Sequence, residues 1–215
     1  MRPLFTPIRI ALLVTLLATF VVGLVLVPAG TMLPVHWGVS GEADGFLPRE
    51  WALLMPLLMA ALVWAIFYVV GRIGKPSDVA AGRYSAGVVI TALTGLALVL
   101  EAATVLIGIG VAVNMVQVLG LALGVLLVIL GNAMPKSQPN SFAGLRLPST
   151  LHDPANWQAT HRLTGLLCIV AGLVLVVAAL LLPTPALIWW LLGCVFAPIL
   201  IGVAYSLAYA RKLKS

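Results

Sequence analysis

Between Gly131 and Arg162 an otherwise apolar sequence turns polar and gathers Asn132, Lys136, Asn140, Arg146, His152, Asp153, Trp157, His161 and Arg162. The chain is 62% hydrophobic and only 8% charged, so a segment of this kind is where specific chemistry or recognition must be sought. Lys136 and Arg146 can donate to a carboxylate or phosphate, and only the arginine can do so as a bidentate fork. Trp157 and His161 are four residues apart and share a helical face, with Gly165 one turn further on. His152, Asp153 and His161 are of the types that move protons or ligate metals. Three readings compete for this segment: a folded plug whose Asn and Arg side chains satisfy buried carbonyls, a docking site for a cytoplasmic protein, and a catalytic or metal site. The sequence holds no HExxH, no GxSxG elbow and no pair of intramembrane aspartates.

A second constellation lies in LPVHWGVSGEADGF, from Leu33 to Phe46. His36, Glu42 and Asp44 are suitable ligands for a divalent metal, but their spacing matches no closed zinc pattern. The alternatives are a hydrogen-bonded structural histidine, or a surface of His36, Trp37, Glu42 and Asp44 that meets a cationic amphipathic peptide. Glu101 is the third candidate. It stands within an apolar run, where an ionisable group is costly and therefore a functional candidate. Asn114 and Gln117 are its expected hydrogen-bond partners, and proton or ion coupling is its alternative role.

The elements that position these residues follow from the apolar runs. Six are long enough to cross a bilayer (~20 residues each): Ile8–Pro28, Trp51–Val70, Ser85–Ile107, Ala112–Leu130, Leu163–Leu182 and Leu187–Ala208. In lipid the backbone must satisfy its own hydrogen bonds, and uniformly apolar runs do so as helices. The expected fold is all-α, a polytopic membrane protein with six transmembrane helices. Of the 12 Lys and Arg, only Arg49 falls on the outer side when the N-terminus is placed in the cytoplasm. The positive-inside rule then puts both termini in the cytoplasm. The net charge of +6 is explained by a basic inner face toward anionic lipid, without direct binding of nucleic acid. The first run follows Arg2 and Arg9 as a signal peptide would, but it exceeds a typical signal core of ~7–15 residues and is read as a retained helix. Cys168 and Cys194 both fall in apolar runs and read as packing residues, and no motif calls for a cofactor.

The chain divides into a first helix pair with its external PVHWGVSGEADGF loop, residues 1–72, and a four-helix region, 73–215, that carries the cytoplasmic loop 131–162. Asp153-Pro154 reads as an N-cap with proline at the first helical position, starting a helix through Trp157 and His161 into the fifth span. Pro135 and Pro139 stop the helix before it. Gly120-x-x-x-Gly124 lets a neighbouring helix approach, within the chain rather than across a dimer.

These residues resemble a known family. Gly131-Asn132-x-Met134-Pro135-Lys136, Pro139-Asn140-Ser141-Phe142-x-Gly144-x-Arg146-x-Pro148, Trp157 and Thr160-His161-Arg162-x-x-Gly165 look like the signature of the SdpI family. Pro34-x-His36-Trp37-Gly38-x-x-Gly41-x-x-Asp44-Gly45-Phe46 resembles the short domain that often precedes it. Ser149 stands where family members often carry Trp. The resemblance implies a bacterial inner-membrane protein of the immunity and signalling type, which protects against a secreted peptide toxin and holds a cytoplasmic transcriptional repressor at the membrane. It implies that the external His36 loop meets the peptide, and Glu101, singled out by its place in the bundle, is counted with that loop as a ligand-binding candidate. It implies that Asn132, Lys136, Asn140, Arg146, Trp157, His161 and Arg162 meet the partner. The rival class is a small transporter or metal-dependent membrane enzyme using Glu101 and the histidines.

Overall fold

A computed structural model describes residues 5–212. Arg2 and Lys214, two of the cations assigned to the cytoplasmic side, lie outside the described residues. Among those described, six helices are long and apolar enough to cross a membrane. They are α1 (Pro7–Leu26), α2 (Arg49–Ile73), α3 (Pro76–Gly108), α4 (Met115–Ala133), α6 (Pro154–Leu181) and α7 (Thr184–Lys212), with a four-residue α5 (Pro148–Leu151) ahead of α6. The chain is an all-α polytopic membrane protein. One outer segment departs from the expected loop: β1 (Met32–Trp37) and β2 (Ala43–Pro48) pair as an antiparallel hairpin between α1 and α2.

Local signals start and stop the helices. Thr6 caps α1 ahead of Pro7, and Asp153 caps α6 through the Ala155 N–H at 2.8 Å, as its sequence position predicts. Asn114 caps α4 by accepting from the Gln117 N–H. Three helices outrun their apolar cores. α3 begins at Pro76, α6 at Pro154, and α7 reaches Lys212, so polar turns extend the helices beyond the lipid. The C-terminal end of α1 leaves carbonyls without intrahelical donors. Arg49, the cation at the outer end, donates to the carbonyls of Leu24 (3.1 Å) and Val27 (2.6 Å) and to the Glu50 carboxylate.

The core has two foci. α1, α2 and α3 pack through Leu16, Ala60 and Ala97 toward the inner end, and through Val27, Leu33, Leu53 and Val105 toward the outer end. α4, α6 and α7 pack through Val116, Leu127, Leu175, Ala179 and Leu187. α4 and α6 are antiparallel and meet along glycines. A Cβ on Gly124 would lie 2.8 Å from the Gly172 carbonyl oxygen, and one on Gly131 would lie 2.5 Å from that of Gly165. Gly120 and Gly124 therefore serve packing within the chain. Lipid supplies little hydrophobic drive between helices, so van der Waals contact along such a small-residue seam carries the association.

Candidate functional site

The segment from Gly131 to Arg162 folds back on the inner end of α6. Pro135 and Pro139 prevent α4 from continuing, and the chain leaves it in a single tight turn over Met134–Lys136. Trp157 and His161, one turn apart on α6, are both fully buried. Their rings stack with centroids 4.0 Å apart and planes 19° off parallel. The His161 Nδ1–H donates to the Trp157 carbonyl (2.8 Å), and Nε2 accepts the Leu145 N–H (3.0 Å). Both ring nitrogens are thereby committed in the neutral imidazole. The Trp157 Nε1–H donates to Ser137, at 3.2 Å to Oγ. Gly144 sits over this pair with φ +99°, and a Cβ there would collide with His161 Nε2. A side chain is excluded by backbone conformation and by space together.

Asn140 is buried and shapes the same loop. Its Oδ1 accepts the N–H groups of Phe142 (3.1 Å) and Ala143 (2.8 Å), and its Nδ2 donates to the Gln138 carbonyl (2.8 Å). Thr150 donates to the Leu145 carbonyl and accepts from the Leu147 N–H. Asn156 bridges α6 to α7 by donating to the Ser206 carbonyl (3.0 Å) while accepting from Thr160. Ser149 meets the Ser206 hydroxyl at 2.7 Å.

The seven inner candidates thus separate into two groups. Asn140, Trp157 and His161 come together inside the loop. Asn132, Lys136, Arg146 and Arg162 are exposed around it. Lys136 reaches Asn132 at 3.4 Å, and Arg146 donates to the Ser141 carbonyl at 3.0 Å. Ser137, Thr150, Asn156 and Ser206 complete the internal network and escape a reading that looks for charge and aromatic rings. The only local signal among them is the four-residue spacing of Asn156 and Thr160. His152 points its Nδ1 at the Pro148 carbonyl, and Asp153 is spent on its cap.

At the outer end the hairpin register sets Gly45 opposite His36 and Ala43 opposite Trp37. His36 Nδ1 lies 2.5 Å from Asp44 Oδ1, and both side chains are exposed. Glu42, also exposed, sits in the turn. No group of three or more His, Cys, Asp or Glu able to hold a metal occurs among the described residues. Trp37 is half-buried and packs on the α4–α6–α7 core. Beneath the hairpin lies an apolar cavity of about 490 Å³, bordered by Pro34, Trp37, Met55, Met115 and Leu191.

Glu101 is fully buried in α3, and neither carboxyl oxygen has a hydrogen-bond partner among the described residues. The expected partners are engaged elsewhere. Asn114 donates to Thr184 (2.8 Å) and Gln117 to the Ala179 carbonyl (2.9 Å), because both face α6 and α7 rather than α3. Thr94, two turns away on α3, accepts from Trp64 Nε1 (3.1 Å) and donates to the Ile90 carbonyl. Ala97 and Val105, one turn to either side of Glu101, face α1 and α2, so the carboxyl belongs to that three-helix junction.

Comparison with known proteins bears on both ends of the molecule. The SdpI/YfhL protein family matches residues 136–209. A domain of unknown function, DUF1648, matches residues 14–60, which include the whole hairpin. Immunity protein SdpI of Bacillus subtilis (strain 168) is 36% identical over 74 residues, amounting to 34% of this chain and 36% of that protein. The chain therefore matches about a third of the length of this curated relative. No solved structure matches. The match over residues 136–209 takes in the Trp157–His161 loop, the whole of α6 and most of α7, and makes this part of the chain similar to the SdpI/YfhL protein family.

Proposed function

We propose that this chain is an immunity protein of the bacterial inner membrane that protects the cell carrying it from a secreted peptide toxin. The observation that carries the reading is the 36% identity to Immunity protein SdpI. In this reading the first helix pair and its hairpin, residues 1–72, meet the peptide, and the region 73–215 responds. The exposed His36, Glu42 and Asp44 contact the basic side of an amphipathic peptide. The cavity under Trp37 takes an apolar side chain from it. Trp37 touches the α4–α6–α7 core, and α6 runs unbroken from there to Trp157. Displacement of the hairpin is thus transmitted along α6 to the inner loop. A peptide can shift the bundle only if it binds the two arrangements unequally. On the inner face the exposed Asn132, Lys136, Arg146 and Arg162 dock a cytoplasmic repressor, while Asn140, Trp157 and His161 hold the loop in shape. Glu101 serves the response rather than the fold.

The test is a thermal-shift screen of the detergent-purified protein against secreted amphipathic peptides and divalent metals. A peptide at a hundredfold over its dissociation constant stabilises by ~2.7 kcal/mol. The reading expects stabilisation by a peptide that His36→Ala or Trp37→Ala removes. Stabilisation by a metal alone would overturn it in favour of a metal-dependent enzyme or transporter.

A further inference from the structure

A further cavity lies apart from the hairpin and meets the inner loop at Lys136 and Gln138. It is a cleft of about 1090 Å³ between α3 and α4, closed at its inner end by the start of α1. α3 borders it from Ala80 to Val99 and α4 from Val118 to Ile129. At 1.5 Å per residue, the stretch of α3 from Arg83 to Val99 spans ~24 Å, deeper than one leaflet of a ~30 Å hydrocarbon core. The two helices pack on different partners. α3 turns its buried face to α1 and α2, and α4 turns its glycine face to α6. The space left between them is apolar along its length.

Its polarity is confined to the inner end. Arg9, Arg83 and Lys136 border it there, with Thr6, Tyr84 and Gln138, and among the described residues no Asp or Glu borders it. Arg9 is held in place by hydrogen bonds from its guanidinium to Thr91 Oγ1 (2.9 Å) and the Gly87 carbonyl (2.9 Å) of α3. Arg83 and Lys136 are exposed. Three cations at the level of the cytoplasmic headgroups, above an apolar slot open to lipid, match one chemistry: an anion attached to a hydrocarbon chain. A cationic peptide would be repelled by the same three groups.

We propose that this cleft binds an anionic glycerophospholipid of the inner leaflet, with its phosphate against Arg83, Lys136 and Arg9 and an acyl chain between α3 and α4. The site is independent of the toxin and shares Lys136 with the inner docking surface. Gly95 borders the cleft, and a Cβ built on it meets nothing within 4 Å. A large side chain at this position fills the slot without disturbing a packed contact.

The experiment is native mass spectrometry of the full chain in detergent, titrated with phosphatidylglycerol or with phosphatidylcholine of identical chains. Wild type should retain one phosphatidylglycerol in strong preference to phosphatidylcholine. Each basic group near the surface contributes roughly fivefold, so Arg83→Ala/Lys136→Ala should cut that preference ~25-fold. Gly95→Phe, with all charges kept, should abolish retention of either lipid. Equal retention of the two lipids by wild type would overturn the proposal. So would a preference that survives the double substitution, or binding of phosphatidylglycerol that Gly95→Phe leaves intact, which would reduce the site to a surface for free phosphate or headgroup alone. Unchanged thermal unfolding of Gly95→Phe in pure detergent separates loss of the lipid from loss of the fold.

Discussion

The imidazole of His161 lies flat on the indole of Trp157, and its two nitrogens tie α6 to the loop that precedes it: Nδ1 to the Trp157 carbonyl and Nε2 to the Leu145 N–H. This pair builds the inner face from within. A neutral ring with both nitrogens engaged in backbone bonds positions the loop and leaves no lone pair for a metal. Removing it strands the Leu145 N–H and opens a cavity, so His161→Ala should destabilise by ~2–4 kcal/mol. Thermal unfolding in detergent measures this. Stability equal to wild type would show that the loop stands without the ring.

Gly144→Ala tests the same arrangement from the other side. The new Cβ must take a positive φ and enter the space of His161 Nε2. A loss of ~2–3 kcal/mol is expected from strain and collision together. Gly95→Ala, with open space at its Cβ, should lie within ~0.5 kcal/mol of wild type. The two variants measured together distinguish the clash from a general effect of replacing glycine in this protein.

Arg49 donates to the terminal carbonyls of α1 and ties the outer end of α1 to the start of α2. Arg49→Met keeps the apolar stem and removes the donors, at a cost of ~1–3 kcal/mol. The loss should appear first as faster amide exchange at residues 24–33, before global unfolding. Unaltered exchange there would mean that the α1 end is satisfied without Arg49.

Glu101 is fully buried, and its carboxyl has no hydrogen-bond partner among the described residues. Replacing an unsatisfied buried polar group by an apolar one of similar size is neutral or stabilising. Glu101→Leu should therefore unfold at or above the wild-type temperature. If the carboxyl serves the response, Glu101→Gln should fold normally yet lose protection. Full protection by Glu101→Gln would rule out proton coupling through this residue.

Arg146 is exposed, and its guanidinium donates to the backbone of its own loop. Arg146→Ala should abolish recruitment of the repressor to membranes, read by co-sedimentation, while leaving protection intact. Loss of both together would indicate a collapsed loop rather than a lost docking contact.

Much of this architecture is legible in the sequence, and the parts that are not share a physical reason. The six spans follow from apolar length alone. Asp153-Pro154 marks the start of α6, and Gly120-x-x-x-Gly124 marks a close helix approach, because capping and small-residue packing are written in a few adjacent residues. The hairpin is hidden because Pro34, Gly38, Gly41 and Gly45 read as turns, and its pairing is irregular around His36. The partners of Asn114 and Gln117 are hidden because they lie on α6 and α7, more than 60 residues away, and local spacing points instead to Glu101. Within the inner loop, polarity and aromaticity draw attention to Asn140, Trp157 and His161. Burial, which the sequence does not reveal, shows them turned inward, while Thr150, Asn156 and Ser206 supply bonds that no motif announces.

The central claim is protection from a secreted peptide, and survival measures it directly. A toxin-sensitive bacterium expressing this chain in its membrane should outgrow the same strain with an empty vector when challenged with the peptide that shifts the protein's unfolding. Trp37→Ala, present in the membrane at equal amount, should lose most of that advantage. Equal killing of cells with and without the wild-type chain, its membrane insertion verified, would contradict the reading.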